Sequence, residues 1–320
     1  MRRSRWVSWI AGLVAAVVLA GCGGSGPGPG GTATPGEGAG TGGERMQVVA
    51  SVYPLYFFAR RVGGDRVEVV SLVPPGAEPH DWEPRASDLK TLNSARVFVY
   101  NGAGLEPWVD RALKSLDNKG LIPVDTSAGL PLLTGNGEGG HEPGGYDPHI
   151  WLDPVLAQEQ VKRIAAALSQ ADPAGKDVYE ANAQALIAEL AALDRDYQAL
   201  AACPRREIVI THAFFGYPAR RYGLVQVPMV TSLSPEAEPT PRQLAELVRF
   251  VRERGIRYIF VETLVSDRVG RVLAQEAGAQ VLVLNPIEGL TPEEEAQGKD
   301  YLTLMRENLA NLRQGLECGE

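Results

Sequence analysis

The side chains best suited to chemistry in this sequence are its histidines, and 320 residues hold only four of them: His80, His141, His149 and His212. Neutral imidazole is the commonest transition-metal ligand, and three imidazoles with one carboxylate complete a tetrahedral zinc sphere. His80 follows a β-rich run across a turn-forming loop of Pro74, Pro75, Gly76, Ala77, Glu78 and Pro79. His212 comes directly after Ile208, Val209, Ile210 and Thr211, and His149 opens a segment that leads into a helical stretch. Ligands of open α/β sheets collect outside the carboxyl ends of the strands. Loop histidines at such ends could therefore converge in a cleft between two lobes. Each histidine alone reads as an ordinary hydrogen-bonded residue, but three so placed in a histidine-poor chain point to a shared metal site.

The elements that must position them alternate. Short β-rich runs at 47–52, 67–73, 96–100 and 121–124, then at 207–211, 224–230, 257–261 and 280–284, are separated by helical stretches. This pattern predicts α/β architecture with parallel sheets and helices on both faces, in two Rossmann-like lobes. Between the halves, Asp172 and Pro173 offer an N-cap and a first-turn proline. The apolar residues Tyr179, Leu186, Leu190, Leu193, Tyr197 and Leu200 then recur at the spacing of one helix stripe. A helix over 173–200 would be roughly 40 Å long, enough to run along both lobes. The expected division is an N-terminal lobe at 46–172, a connecting helix at 173–202 and a C-terminal lobe at 203–320.

The chain starts with an address. Three arginines within the first five residues precede fourteen apolar or small residues at 7–20, which fits a signal-peptide core and is too short to span a bilayer. The run ends in Leu19, Ala20, Gly21 and Cys22, which resembles a bacterial lipobox and predicts a signal peptide at 1–21 with Cys22 lipidated. Residues 23–45 are mostly Gly, Pro, Thr and Ser, a flexible tether between the lipid and the folded part. The expected location is extracytoplasmic, anchored to the bacterial cell membrane. With 44% hydrophobic and 22% charged residues the rest is ordinarily globular, and a net charge of −8 argues against nucleic acid as a partner. Once Cys22 is lipidated, Cys203 and Cys318 remain as a possible disulfide in an exported protein.

Five segments carry a resemblance. They are 74–84 (Pro-Pro-Gly-Ala-Glu-Pro-His-Asp-Trp-Glu-Pro), 101–108 (Asn-Gly-Ala-Gly-Leu-Glu-Pro-Trp), 147–154 (Asp-Pro-His-Ile-Trp-Leu-Asp-Pro), 211–217 (Thr-His-Ala-Phe-Phe-Gly-Tyr) and 233–239 (Leu-Ser-Pro-Glu-Ala-Glu-Pro). In order and spacing the chain resembles the metal-binding solute-binding lipoproteins of zinc and manganese ABC importers. The resemblance implies two lobes joined by a long rigid helix, with the metal in the inter-lobe cleft held by one ligand from each of four loops. His80, His149 and His212 match the first three ligands. The fourth is a carboxylate just after the last strand, where Glu288 stands, and Asn285 occupies a spot at which some relatives carry aspartate. If neither reaches the metal, water would fill the position. The implied partners are a membrane permease and its ATPase, and a monomer is expected.

Manganese members resemble this chain but carry Glu at the third ligand position. With His212 there, three imidazoles and one carboxylate favour Zn2+ over Mn2+, while copper and nickel would be excluded only by geometry and supply. Two readings from other classes stand beside the importer protein: a zinc hydrolase, for which no HExxH or GxSxG motif is present, and an adhesin-type lipoprotein whose metal stabilises its fold. Of the remaining features, Glu138, His141 and Glu142 lie in a Gly-rich insertion that reads as a loop more than an auxiliary site. Asp81, Glu83 and Asp153 flank the ligands and could orient their second ring nitrogens or equally be solvated charges. Gly102 and Gly104 read as a tight turn, because Pro107 replaces the last glycine of a dinucleotide fingerprint.

Overall fold

The computed structural model describes residues 45–134, 145–230 and 237–319. The leader, Cys22 and the tether lie outside the described residues, as do Glu138, His141 and Glu142. The first lobe contains β1 (Met46–Ala50), α1 (Tyr53–Gly63), β2 (Val67–Ser71), α2 (Ala86–Ser94), β3 (Val97–Tyr100), α3 (Val109–Ser115) and β4 (Ile122–Asp125). Two long helices follow, α4 (Pro154–Ala171) and α5 (Lys176–Gln198). The second lobe contains β5 (Glu207–Ile210), α6 (Gly216–Tyr222), β6 (Val225–Pro228), α7 (Pro241–Arg254), β7 (Tyr258–Val261), α8 (Arg268–Ala277), β8 (Gln280–Val283), α9 (Pro292–Ala296) and α10 (Tyr301–Gly315). No helix among the described residues is long and apolar enough to cross a membrane.

Both sheets are parallel and share one topology, β2-β1-β3-β4 and β6-β5-β7-β8. In each, the chain leaves the first strand to one side and returns on the other. The switch points therefore lie between the carboxyl ends of β1 and β3, and of β5 and β7, where the fold opens a crevice for ligands. Side chains alternate across each sheet as a pleat requires. Val48, Ala50, Val97 and Val99 face α1 and α4, whereas Val49 and Phe98 face a separate core with Leu92 of α2 and Ala112 of α3. In the second lobe, Ile208, Ile210 and Phe260 face the side of α5 and α10, while Val209 and Ile259 face α7 and α8.

One continuous core runs through both lobes. It is carried by α5, whose buried residues Tyr179, Ala183, Leu186, Leu190, Leu193 and Tyr197 recur every three or four positions. Tyr197 donates its hydroxyl to the Met305 carbonyl at 2.7 Å, and Tyr301 lies against Phe57 and Phe58 with ring centres 5.6 and 4.9 Å away. Helices from each lobe are thus fixed to the same stripe.

The sequence predicts an uninterrupted helix from residue 173, and here the structure differs. Pro173–Gly175 form a 3-10 turn before α5, and Asp172 does not cap with its side chain. Its carboxylate is bound instead by Arg66, at 2.9 and 2.7 Å, and by the Tyr179 hydroxyl at 2.7 Å. Several strands also end one or two residues earlier than their β-rich runs suggest. Thr211 and Leu284 have left the ladder to enter the loops that carry His212 and Glu288.

Cys203, just beyond α5, is bonded to Cys318 after α10 across a sequence separation of 115 residues. Loop-closure entropy for such a span is about 4 to 5 kcal/mol. Replacing both cysteines by alanine is expected to lower unfolding stability by up to roughly that amount in denaturant titrations. Non-reducing mass spectrometry showing two free thiols in the purified protein would contradict the pairing.

Candidate metal centre

Each strand end contributes a loop. His80 stands beyond β2, His212 two residues beyond β5, and Glu288 five residues beyond β8. His149 precedes the short 3-10 turn Ile150–Leu152 that feeds α4. Asp153 caps that helix by accepting from the Val155 and Leu156 amides, with Pro154 in its first turn. Trp151 ties the segment to the second lobe by donating its indole N–H to the Pro286 carbonyl at 2.8 Å. The Gly76 amide donates to the Leu290 carbonyl at 2.8 Å, so the loops bearing His80 and Glu288 are also joined directly.

These loops bring His80, His149, His212 and Glu288 together, with one ligand atom from each lying within 4.8 Å of all the others. His80 Nε2 is 3.1 Å from Glu288 Oε1 and 3.2 Å from His149 Nε2. His149 Nε2 is 3.0 Å from Glu288 Oε1, and His212 Nε2 is 3.4 Å from His149 Nε2 and 3.9 Å from Glu288 Oε1. Ligands placed tetrahedrally at roughly 2.0–2.1 Å from one zinc are separated by about 3.3–3.4 Å, which these spacings bracket. His149, His212 and Glu288 are fully buried, and His80 is the one member of the set that is partly exposed.

The orientation of the rings comes from carboxylates that the sequence did not single out. Asp147 Oδ1 lies 2.8 Å from His149 Nδ1 and also accepts the His149 amide at 3.0 Å. Glu262, at the end of β7 beside the β5–β7 switch point, lies 2.8 Å from His212 Nδ1. Both contacts leave Nε2 facing the other ligands, the arrangement typical of metal-binding histidines. Of the acids nearer in sequence, which read equally as orienting partners or as solvated charges, none does this. Asp81 is exposed, Glu83 pairs with Arg111 at 2.7 Å on the surface, and Asp153 pairs with Arg221 at 2.6 Å while capping α4. Asn285 is also turned away. Its side chain donates to Glu294 at 2.9 Å and accepts the Ile287 amide at 2.8 Å, holding a turn in which Ile287 has a positive φ of 58°.

The groups polarise one another. Burial alone would raise Glu288, but the imidazoles of His80 and His149 outweigh it and hold the carboxyl well below its usual range. Burial likewise opposes a charge on His149, yet its hydrogen bonds to Asp147 and Glu288 push it up to about 10. His212 is pushed down to about 3 by burial, and Glu262 is raised well above its usual value by burial and by the charge of Glu288. Glu78, raised to about 9 by burial and then by Glu288, accepts the His80 amide at 3.1 Å. The centre is a compact knot of Lewis bases around one anionic oxygen, suited to a small divalent cation.

The family model for ZnuA, zinc-uptake complex component A periplasmic, matches residues 48–315. The chain belongs to that family. It is 39% identical over 284 residues to the high-affinity zinc uptake system protein ZnuA of Bacillus subtilis, covering 86% of this chain and 88% of that protein. It is 38% identical to the zinc-binding lipoprotein AdcA of Streptococcus pneumoniae, spanning 84% of this chain but only 56% of AdcA. The Zn(II)-bound ZnuA-like domain of that AdcA superposes with a TM-score of 0.75 at 37% identity, over 85% of this chain and 99% of the domain. The laminin-binding protein Lmb of Streptococcus agalactiae, described as bifunctional with adhesin and metal transporting activity, also reaches 0.75, at 35% identity over 85% of this chain and 100% of Lmb.

Alanine at His80, His149 or His212, or glutamine at Glu288, is expected to weaken zinc binding by more than about 100-fold, because changes to outer-shell partners alone typically cost 10–100-fold. His141→Ala and Asp81→Asn are expected to change it less than about threefold on the same scale. Competition titrations with a chromophoric chelator measure both groups, and equal losses across them would contradict the ligand set.

Proposed function

We propose that this protein captures one Zn2+ outside the cytoplasmic membrane and delivers it to the permease of an ABC importer powered by an ATPase. The observation that carries the reading is the convergence of three Nε2 atoms and one carboxylate oxygen, from both lobes and the segment between them, at tetrahedral spacing. A set of four protein donors closes the coordination sphere, which suits binding rather than hydrolysis, since catalytic zinc keeps an open position. Three nitrogens favour zinc over manganese, which ranks low for such ligands. The relatives named for zinc uptake and zinc binding support the same cargo. In this reading Cys22 carries the lipid and the tether lets the folded part work beside the membrane.

The adhesin reading draws on one observation, the likeness to Lmb. It is compatible with metal capture by the same cleft. A strain lacking the gene and complemented with His149→Ala separates the two: loss of growth in zinc-poor medium with cell-surface adhesion intact supports uptake as the primary role, whereas adhesion lost with unchanged zinc accumulation overturns it.

Zinc must displace protons from the centre. With His149 raised to about 10 in the free site, a proton occupies it at pH 7, so metal binding releases protons and apparent affinity falls as pH falls. Zinc at about 100 times its Kd contributes roughly 2.7 kcal/mol to stability. A thermal-shift series is expected to show a large zinc-induced rise in Tm at pH 7.5, little near pH 5, and a smaller rise with manganese at every pH. A pH-independent zinc shift, or a larger manganese shift at pH 7.5, would contradict the imidazole-rich centre.

A further inference from the structure

Residues 101–108, between β3 and α3, contribute no ligand to the centre, yet two of them, Asn101 and Glu106, are buried and polar and build an assembly that reaches the segment bearing His149. Gly102, Ala103 and Gly104 all have positive φ, at 76°, 53° and 90°. A Cβ at Gly102 would lie 2.2 Å from the Asp125 carboxylate, so the turn requires glycine there. The turn folds Glu106 back onto the strand ends. Its carboxylate accepts from the Asn101 amide at 2.8 Å, the Gly102 amide at 3.0 Å and the Ser51 hydroxyl at 2.5 Å. Ser51 follows β1 and Asn101 follows β3, so this carboxylate closes the switch point of the first lobe.

The consequence reaches His149. The fully buried Asn101 side chain donates from Nδ2 to the Pro148 carbonyl at 2.8 Å, and its Oδ1 accepts from Gln160 Nε2 at 3.1 Å. A carbonyl can only accept, so the amide nitrogen must face Pro148 and its orientation is chemically fixed. Gln160, on α4, is itself held by the Thr126 hydroxyl, 3.0 Å from the same nitrogen. The Pro148 carbonyl also takes the Ile150 amide at 2.8 Å. The Pro148 carbonyl entering His149 is therefore held by two donors, the Ile150 amide and the Asn101 side chain, while Asp147 lies against the ring.

We propose that Asn101 is a positioning residue for metal capture: through its amide it sets the backbone of His149, and Glu106 and Gln160 hold that amide in register. This rests on His149 being a zinc ligand, and the zinc affinity of His149→Ala beside wild type tests that premise separately. Asn101→Asp keeps size and the acceptor for Gln160 but sets an oxygen against the Pro148 carbonyl. Gln160→Met removes the hydrogen bond that orients Asn101. Leu92→Ala, in the core on the opposite face of the sheet, serves as a purely structural loss.

The experiment compares zinc affinity, thermal stability of the metal-free protein, and the visible spectrum of the Co2+-loaded protein. Asn101→Asp is expected to lose at least about tenfold in zinc affinity and to shift or broaden the Co2+ ligand-field bands, with Gln160→Met changing both in the same direction by less. Leu92→Ala is expected to lower the melting temperature while leaving affinity within twofold and the spectrum unchanged. If Asn101→Asp matches Leu92→Ala, with altered stability but the same affinity and spectrum, the positioning role is overturned. If Asn101→Asp does not fold, Gln160→Met decides: wild-type affinity and spectrum in that variant would overturn the role, and reduced affinity with an altered spectrum would support it.

Discussion

Everything about the centre follows from one fully buried carboxylate. Glu288 has no exposed surface, and an isolated ionised carboxylate in such a place would be strongly unfavourable. It is tolerated because imidazoles surround it, at 3.0, 3.1 and 3.9 Å. A single positive group at the middle satisfies the whole arrangement, whether a proton on His149 or a divalent metal. The charge of a divalent cation would balance the carboxylate, and a tetrahedral coordination geometry would use the three ring nitrogens at once. Asp147 and Glu262 hold the rings of His149 and His212 from behind, each through Nδ1, so that Nε2 of both faces the centre.

That knot depends on a frame that does not let its parts drift. The ligands come from loops far apart in sequence, and each leaves a parallel strand end or a helix start. The topology repeated in the two sheets puts both switch points toward the cleft, and the stripe along α5 merges the two lobes into one core. Cross-links near the centre then join the loops to one another, Gly76 to Leu290 and Trp151 to Pro286. The polar assembly of Ser51, Asn101, Glu106 and Gln160 supplies the same stiffness from within the first lobe.

Much of this was legible in the residues. All eight strands were visible as β-rich runs: the inner strands β1, β3, β5 and β7, covered on both faces, are almost continuously apolar, and the half-exposed edge strands β2, β4, β6 and β8 keep enough β-branched residues to read the same way. The α5 stripe was visible because three- and four-residue spacing has no other simple reading. His80, His149 and His212 stood out as rare, ligand-capable residues, two in loops after strands and one opening the segment that leads into α4. Their outer partners did not. Asp81 and Glu83 are close to His80 in sequence but point to solvent, whereas Glu262 reaches His212 across fifty positions through the pairing of β5 with β7. Its one sequence signal was an acid placed immediately after the apolar strand Tyr258–Val261. The break at Pro173–Gly175 was likewise hidden, because Asp172 reads as an N-cap until Arg66 and Tyr179 are seen to claim its carboxylate.

The most direct measurement is crystallography of the zinc-loaded protein with anomalous data collected on both sides of the zinc edge. The account predicts one zinc peak in the inter-lobe cleft, about 2.0–2.2 Å from Nε2 of His80, His149 and His212 and from a Glu288 oxygen. Asp147 and Glu262 would remain on the outer nitrogens of His149 and His212. A zinc bound elsewhere, or one in the cleft coordinated mainly by water with His212 or Glu288 turned away, would contradict it.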